Sequence, residues 1–176
     1  MKLTWFGGTT LRVYLRGQIV VVDAERAPCG VDRGELVSGA DLLMHLAGDM
    51  VVPLIDPATW RPRPAPREID TPLAVETLRI GPSALLIAAA GEPPLVILGS
   101  SEPPRFGRWA DGAVIVLTSG RESVVAEATV LLDVARPRLL ALAADEQTLD
   151  VAVAALAEHL DGAGLVSLEP GLALEV

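Results

Sequence analysis

The chain has 176 residues, 51% of them hydrophobic, and a formal net charge of −9. We expect one domain over residues 1–176 that buries a core, and no nucleic-acid partner, because binding phosphates requires clustered Lys and Arg. A lone cysteine, Cys29, excludes an internal disulfide, and no signal-peptide segment or apolar run of ~18 residues is present, so we expect a soluble, cytoplasmic protein without a membrane partner.

Three strands joined by short glycine-containing turns are predicted at the N-terminus: Lys2–Phe6, Thr10–Leu15 and Gln18–Asp23. Every second residue of Thr10–Leu15 is apolar, which is typical of a strand with one buried face. The third strand is continuously apolar at its centre, as central strands are. A polar, turn-rich segment follows, with a helical turn predicted at Arg33–Ser38.

The next strand, Leu42–Met44, is short and runs into a polar turn that contains His45 and Asp49. Layered folds with β-strands place their sites at the carboxyl ends of strands, so both residues are candidate site residues. Asp23, at the end of the preceding strand, has two interpretations. It caps the strand end, or it supports the site from behind.

The second half of the chain is predicted to contain seven more strands and two helices. The first helix covers Arg121–Ala135, and the second begins after the N-cap Asp145 and ends at Gly162. His159 then lies in the last helical turn, where it complements the helix dipole. The predicted strands are Leu73–Ile80, Ala84–Ala89, Pro94–Leu98, Ala113–Thr118, Arg138–Ala143, Leu165–Leu168 and Leu172–Val176.

Two segments and the order of the C-terminal elements resemble the metallo-β-lactamase fold hydrolases, in their small lactonase-like branch. Trp5-Phe6-Gly7-Gly8-Thr9 is similar to the W-x-G-H-[ST] segment of that branch. Ala40–Met50 is similar to the family's metal-binding segment, in which a strand that begins with the residues A-D runs into H-x-H-x-D-H. The resemblance covers nearly the whole chain. It implies an α/β (α+β) protein folded as a compact four-layer αββα sandwich with few, short helices, and a zinc-dependent hydrolase activity.

Most of the metal ligands that the resemblance implies are missing. His45 takes the place of the first histidine and Asp49 that of the aspartate. The other ligand positions hold Gly8, Ala47, Met50, Ser100 and Ala144. A catalytic zinc needs about three protein ligands, and the chain has two histidines and one cysteine in all. We therefore expect no zinc cofactor, only a remnant of the metal site at His45 and Asp49.

These observations leave three functional hypotheses. The first is a non-catalytic, metal-free pseudoenzyme that acts by binding to itself as an oligomer, to a partner protein, or to a small ligand in the vestigial cleft. The second is a hydrolase with a repurposed site, in which His45 is the base, Ser100 or Ser101 the nucleophile, and Asp23 and Asp49 are further candidates. The third is a weak metal site of His45, Asp49 and other carboxylates. The first hypothesis predicts that apolar side chains close the old metal pocket, and the second that His45 contacts a serine.

A separate candidate binding surface is the loop that carries Arg105, Phe106 and Trp109. It places two of the six aromatic residues of the chain beside arginines, which is typical of an interface or a pocket wall. Burial of these rings against the core is the alternative, and the sequence leaves both open.

Overall fold

The computed structural model describes residues 1–48, 52–65, 74–99, 102–120 and 123–176. This part of the chain forms a mixed α/β fold of two sheets and few helices, which confirms the predicted class at that level. The strands are β1 (Lys2–Gly7), β2 (Thr10–Leu15), β3 (Gln18–Val22), β4 (Leu42–Met44), β5 (Val75–Gly81), β6 (Ala84–Ala89), β7 (Leu95–Leu98), β8 (Val114–Leu117), β9 (Leu139–Leu142), β10 (Gly164–Ser167) and β11 (Ala173–Glu175). The α-helices are α1 (Arg33–Val37), α2 (Val124–Val134) and α3 (Glu146–Leu156), and two 3-10 helices cover Ala24–Arg26 and Arg108–Gly112.

The strands assemble into a five-stranded sheet in the order β11-β1-β2-β3-β4 and a six-stranded sheet in the order β10-β9-β8-β7-β6-β5. In the first sheet β1, β2 and β3 are antiparallel neighbours, and β4 runs parallel to β3. In the second sheet β7, β8, β9 and β10 are parallel. The carboxyl ends of β1, β3 and β4 therefore lie at one edge of the first sheet, and those of β7 to β10 lie at one edge of the second.

The β2–β3 hairpin shows how local sequence fixes this arrangement. Leu15 pairs with Gln18, so Arg16 and Gly17 alone form the turn. Both have positive φ, 50° and 83°, as the two-residue hairpin turn that matches strand twist requires. Because the register then follows from the turn, the apolar residues of β2 face the interior.

The two sheets share one hydrophobic cluster. It contains Leu11 and Val20 from the five-stranded sheet together with Ile97 and Val116 from the six-stranded sheet. A second cluster joins the six-stranded sheet to α2 and α3, and a third, small cluster joins Val21 of β3 to Leu36 of α1. Both sheets are therefore held by burial of apolar side chains, at roughly 25 cal/mol per Å² removed from water.

The structure corrects two predictions. Helix α3 ends at Leu156 and not at Gly162. The chain continues as a turn in which the His159 N–H donates to the Leu156 carbonyl at 2.9 Å, and it reverses with positive φ at Asp161 and Gly162. His159 is consequently exposed beyond the helix and not in its last turn. The 3-10 helix Arg108–Gly112 was not predicted. Leu73 and Arg121, where a strand and a helix were predicted to begin, lie outside the described residues.

Within the described ranges, no helix has the length and apolar character that crossing a membrane requires.

Candidate functional site

The candidate site is the rim where the carboxyl ends of strands from both sheets meet. Gly7 and Gly8, which follow β1, line the same cleft as the residues that follow β8, β9 and β10. A Cβ built on Gly99, just after β7, would lie 3.2 Å from Leu46 Cδ2, just after β4. Together with the end of β3, which lies beside β4 and runs parallel to it, seven strand ends therefore converge on one rim of the molecule.

The cleft at this rim has a volume of about 1150 Å³. Its lining combines apolar side chains with hydroxyls and carboxylates. The apolar members are Trp5, Ala143, Ala144, Leu149, Val153, Ala154, Leu168 and Pro170, and the polar members are Thr118, Ser119, Asp145, Glu146, Asp150, Ser167 and Glu169. Ala144, which the first hypothesis expects to close the old metal pocket together with Ala47 and Met50, lines this cleft.

Among the carboxylates of the rim that the structure describes, Asp23 is the most buried, with 1% of its surface exposed. Its Oδ2 accepts a hydrogen bond from the Thr9 hydroxyl at 2.5 Å, and its Oδ1 accepts one from the Leu46 N–H at 3.1 Å. Its main-chain oxygen accepts a further bond from the Thr10 hydroxyl at 3.0 Å. The side chain does not cap the 3-10 helix that follows. Asp23 instead ties the β1–β2 turn to the loop after β4.

His45 lies against Asp23 at the start of that loop. The imidazole Nδ1 is 3.5 Å from Asp23 Oδ1, and 52% of the His45 side chain is exposed. The structure therefore brings together two of the predicted site residues, with the imidazole facing solvent and the carboxylate buried behind it. The other predicted members, Asp49, Met50, Ser100 and Ser101, lie outside the described residues, so contact between His45 and a serine stays a prediction.

Arg79 is a site residue that the sequence did not reveal. Only 8% of its surface is exposed. Its Nη2 donates to the His45 carbonyl at 2.9 Å, and its Nη1 donates to the carbonyls of Leu46 at 3.0 Å, Gly81 at 3.2 Å and Pro82 at 2.9 Å. Its Nε is buried and makes no hydrogen bond within the described part of the chain. Arg79 thus holds the loop after β4 from the six-stranded sheet.

The described residues of the rim do not include a donor set that fits a zinc ion. Gly8, Ala47 and Ala144 offer no donor side chain at three positions where the resemblance implies ligands. The described ranges contain no group of three or more His, Cys, Asp and Glu residues that could hold a metal. Of the carboxylates in the cleft, Asp145 already accepts bonds from the N–H and the hydroxyl of Thr148 at 2.9 and 3.0 Å.

The aromatic loop lies elsewhere. Trp109 is buried, and its Nε1 donates to the Pro57 carbonyl at 2.7 Å. Its ring packs edge to face with Trp60 and Phe106, at centroid distances of 4.8 and 5.7 Å. These rings join the hydrophobic cluster of the six-stranded sheet and its helices. Arg105 is exposed beside them, so only the arginine of this predicted surface is freely accessible.

No family model, curated protein or solved structure matches the chain.

Proposed function

We propose that this chain is a metal-free protein of the metallo-β-lactamase type, folded as a four-layer αββα sandwich, and that it acts by binding a small ligand in the cleft at its rim. The strand order of each sheet and the shared core between the sheets support this fold. The position of Gly8, Asp23, His45 and Ala144 at one rim supports the correspondence with a former metal centre.

The observation that carries the proposal is an open cleft with Gly8 and Ala144 on its wall, at positions where the resemblance implies metal ligands. Ligand pockets usually enclose 300–1,000 Å³ and combine a mainly apolar lining with a few polar groups. The cleft, at about 1150 Å³, is slightly larger than this range. Its apolar floor, formed by Trp5, Leu149 and Leu168, and its hydroxyls, such as Thr118 and Ser167, suit a small molecule with an apolar body and polar substituents.

A second candidate function is metal-independent hydrolysis at His45. The contact between His45 Nδ1 and the buried Asp23 carboxylate favours it, because a carboxylate that orients an imidazole is the usual support of a general base. Assays on phosphoesters and lactones with the protein and with His45→Ala test this function. Turnover lost in His45→Ala would support it, and no turnover by the wild type would remove it.

Metal content tests the proposal first. Protein purified after zinc and manganese supplementation is expected to contain far less than one equivalent of metal by elemental analysis. Its thermal unfolding is expected to be unchanged by a chelator, because no metal contributes to stability. One equivalent of metal together with chelator-sensitive stability would refute the proposal.

Ligand binding is tested with a library of small metabolite-like molecules and thermal shift. Compounds that stabilise the wild type are expected to lose their effect on Ser167→Trp, since residue 167 is exposed and lines the cleft. Ala173→Trp is the matched control, at an exposed strand position outside the cleft lining. If no compound shifts the wild type, or if hits persist in Ser167→Trp, the cleft is not the binding site.

A further inference from the structure

One peptide group of the rim lies between two buried side chains of opposite charge. The peptide that joins His45 to Leu46 donates through the Leu46 N–H to Asp23 Oδ1 at 3.1 Å. The same peptide accepts through the His45 carbonyl from Arg79 Nη2 at 2.9 Å. Asp23 comes from the five-stranded sheet and Arg79 from the six-stranded sheet, so this peptide also links the two sheets.

Asp23 and Arg79 are charged side chains that are both buried. An ion removed from water is strongly destabilising unless other groups replace its hydration. The hydrogen bonds of Asp23 come from N–H and hydroxyl groups, and those of Arg79 go to main-chain carbonyls. Hydrogen bonds to charged groups are stronger than those between neutral groups, and a peptide polarised from both ends strengthens both of its bonds.

The same pair also sets the position of His45. Arg79 holds its carbonyl, and Asp23 lies 3.5 Å from its Nδ1, while the exposed half of the imidazole faces solvent. Through its other oxygen Asp23 holds Thr9, the neighbour of Gly8 in the cleft wall. The pair therefore connects the cleft wall, the loop after β4 and the imidazole.

We infer that Arg79 and Asp23 form a peptide-bridged ion pair that fixes the loop after β4 and positions His45 at the rim, so that the loop keeps its conformation without a metal ion. In this chain a guanidinium is the resident cation of the site. The inference rests on the proposed function only because both require the loop after β4 to keep its conformation without a bound metal ion.

Exchange of the Leu46 amide hydrogen reports directly on the bridging peptide. In the full chain we expect Arg79→Gln and Asp23→Asn to speed exchange at Leu46 by about tenfold or more, which corresponds to loss of one charged hydrogen bond. Arg79→Lys, which keeps the charge but not the fork of donors, should lie between them and the wild type. Arg12→Gln is the matched control, because Arg12 also donates to three carbonyls, those of Glu35, Leu36 and Ser38, away from this loop.

Acylation by diethyl pyrocarbonate reports on the positioning of His45. The reagent transfers its ethoxycarbonyl group to an imidazole nitrogen lone pair, the bond from that carbonyl to the carbonate leaving group breaks, and the imidazole proton is released to solvent. Asp23 Oδ1, 3.5 Å from Nδ1, favours the tautomer with the proton on that nitrogen, which leaves Nε2 as the nucleophile. We expect Asp23→Asn and Arg79→Gln to lower the rate at His45 several-fold and to leave the exposed His159 unchanged, which provides an internal reference.

Several results would overturn the inference. The first is an unchanged Leu46 exchange rate in folded Arg79→Gln and Asp23→Asn. The second is a chelator that accelerates Leu46 exchange in the wild type. The third is an equal change in the acylation rates of His45 and His159 in the variants. If Arg79→Gln does not fold, Arg79→Lys and Asp23→Asn carry the test. If the protein contains one equivalent of metal and Arg79→Gln still speeds exchange at Leu46, the ion pair is supported and the proposed metal-free function is refuted.

Discussion

Trp109 is buried and makes three contacts: a hydrogen bond to Pro57 and ring contacts with Trp60 and Phe106. We expect Trp109→Ala to destabilise the protein by about 3–5 kcal/mol, since it leaves a cavity and removes one of the two hydrogen bonds to the Pro57 carbonyl, the other coming from the Gly107 N–H. Trp109→Phe keeps most of the packing and should lose less. Urea unfolding measures both, with the exposed Arg105→Ala as control. A change within about 0.5 kcal/mol for Trp109→Ala would show that the loop does not support the core.

Asp23 and Arg79 differ in how well the sequence predicts that they belong to the site. Asp23 is predictable as a candidate because a carboxylate that ends an apolar strand is unusual enough to be noticed. Arg79 is not, since an arginine between Leu78 and Ile80 has the pattern of an outward-facing strand residue. Its partners His45 and Leu46 are 34 and 33 residues away in the chain. Only the packing of one sheet against the other makes this guanidinium a buried group.

At the scale of elements, α3 depends on its N-cap. Asp145 accepts bonds from both the N–H and the hydroxyl of Thr148, and α3 forms one wall of the cleft. Asp145→Ala is expected to lower the free energy of unfolding by about 0.5–2 kcal/mol, and Asp145→Asn by less. Asp150→Ala, which removes an exposed carboxylate from the same helix, is the control. Equal effects of the two alanine variants in chemical unfolding would contradict the cap assignment.

The strands are the elements that sequence predicts best. Thr10–Leu15 and Ala84–Ala89 have the predicted bounds, because apolar runs bounded by glycine turns leave few alternatives. The end of α3 is less certain from sequence, since Ala157 to Leu160 would suit a helix as well as the observed turn. The 3-10 helix Arg108–Gly112 follows from burial of Trp109 beneath the loop, which is a tertiary effect that local propensity does not encode.

At the scale of the whole molecule, the site exists only because seven strand ends meet. The sequence predicts each strand and places His45 and Asp23 at strand ends, but which end of one sheet faces which end of the other is decided by the shared core. The cleft is the clearest case. Its residues range from Trp5 to Pro170, and no local pattern marks Thr118 or Ser167 as neighbours of Gly8.

The pairing of β11 with β1 joins the two ends of the chain and completes the five-stranded sheet, with Leu174 opposite Leu3. A proline at this position cannot donate to the ladder, so Leu174→Pro is expected to destabilise the protein by about 2–3 kcal/mol. It should also expose the edge of β1, which promotes association through unpaired strand groups. Thermal unfolding and light scattering measure these effects, with Leu172→Ser, at an exposed position before β11, as control. If Leu174→Pro is as stable and as monodisperse as Leu172→Ser, β11 is dispensable, and β2 to β4 with the shared core hold the first sheet without it.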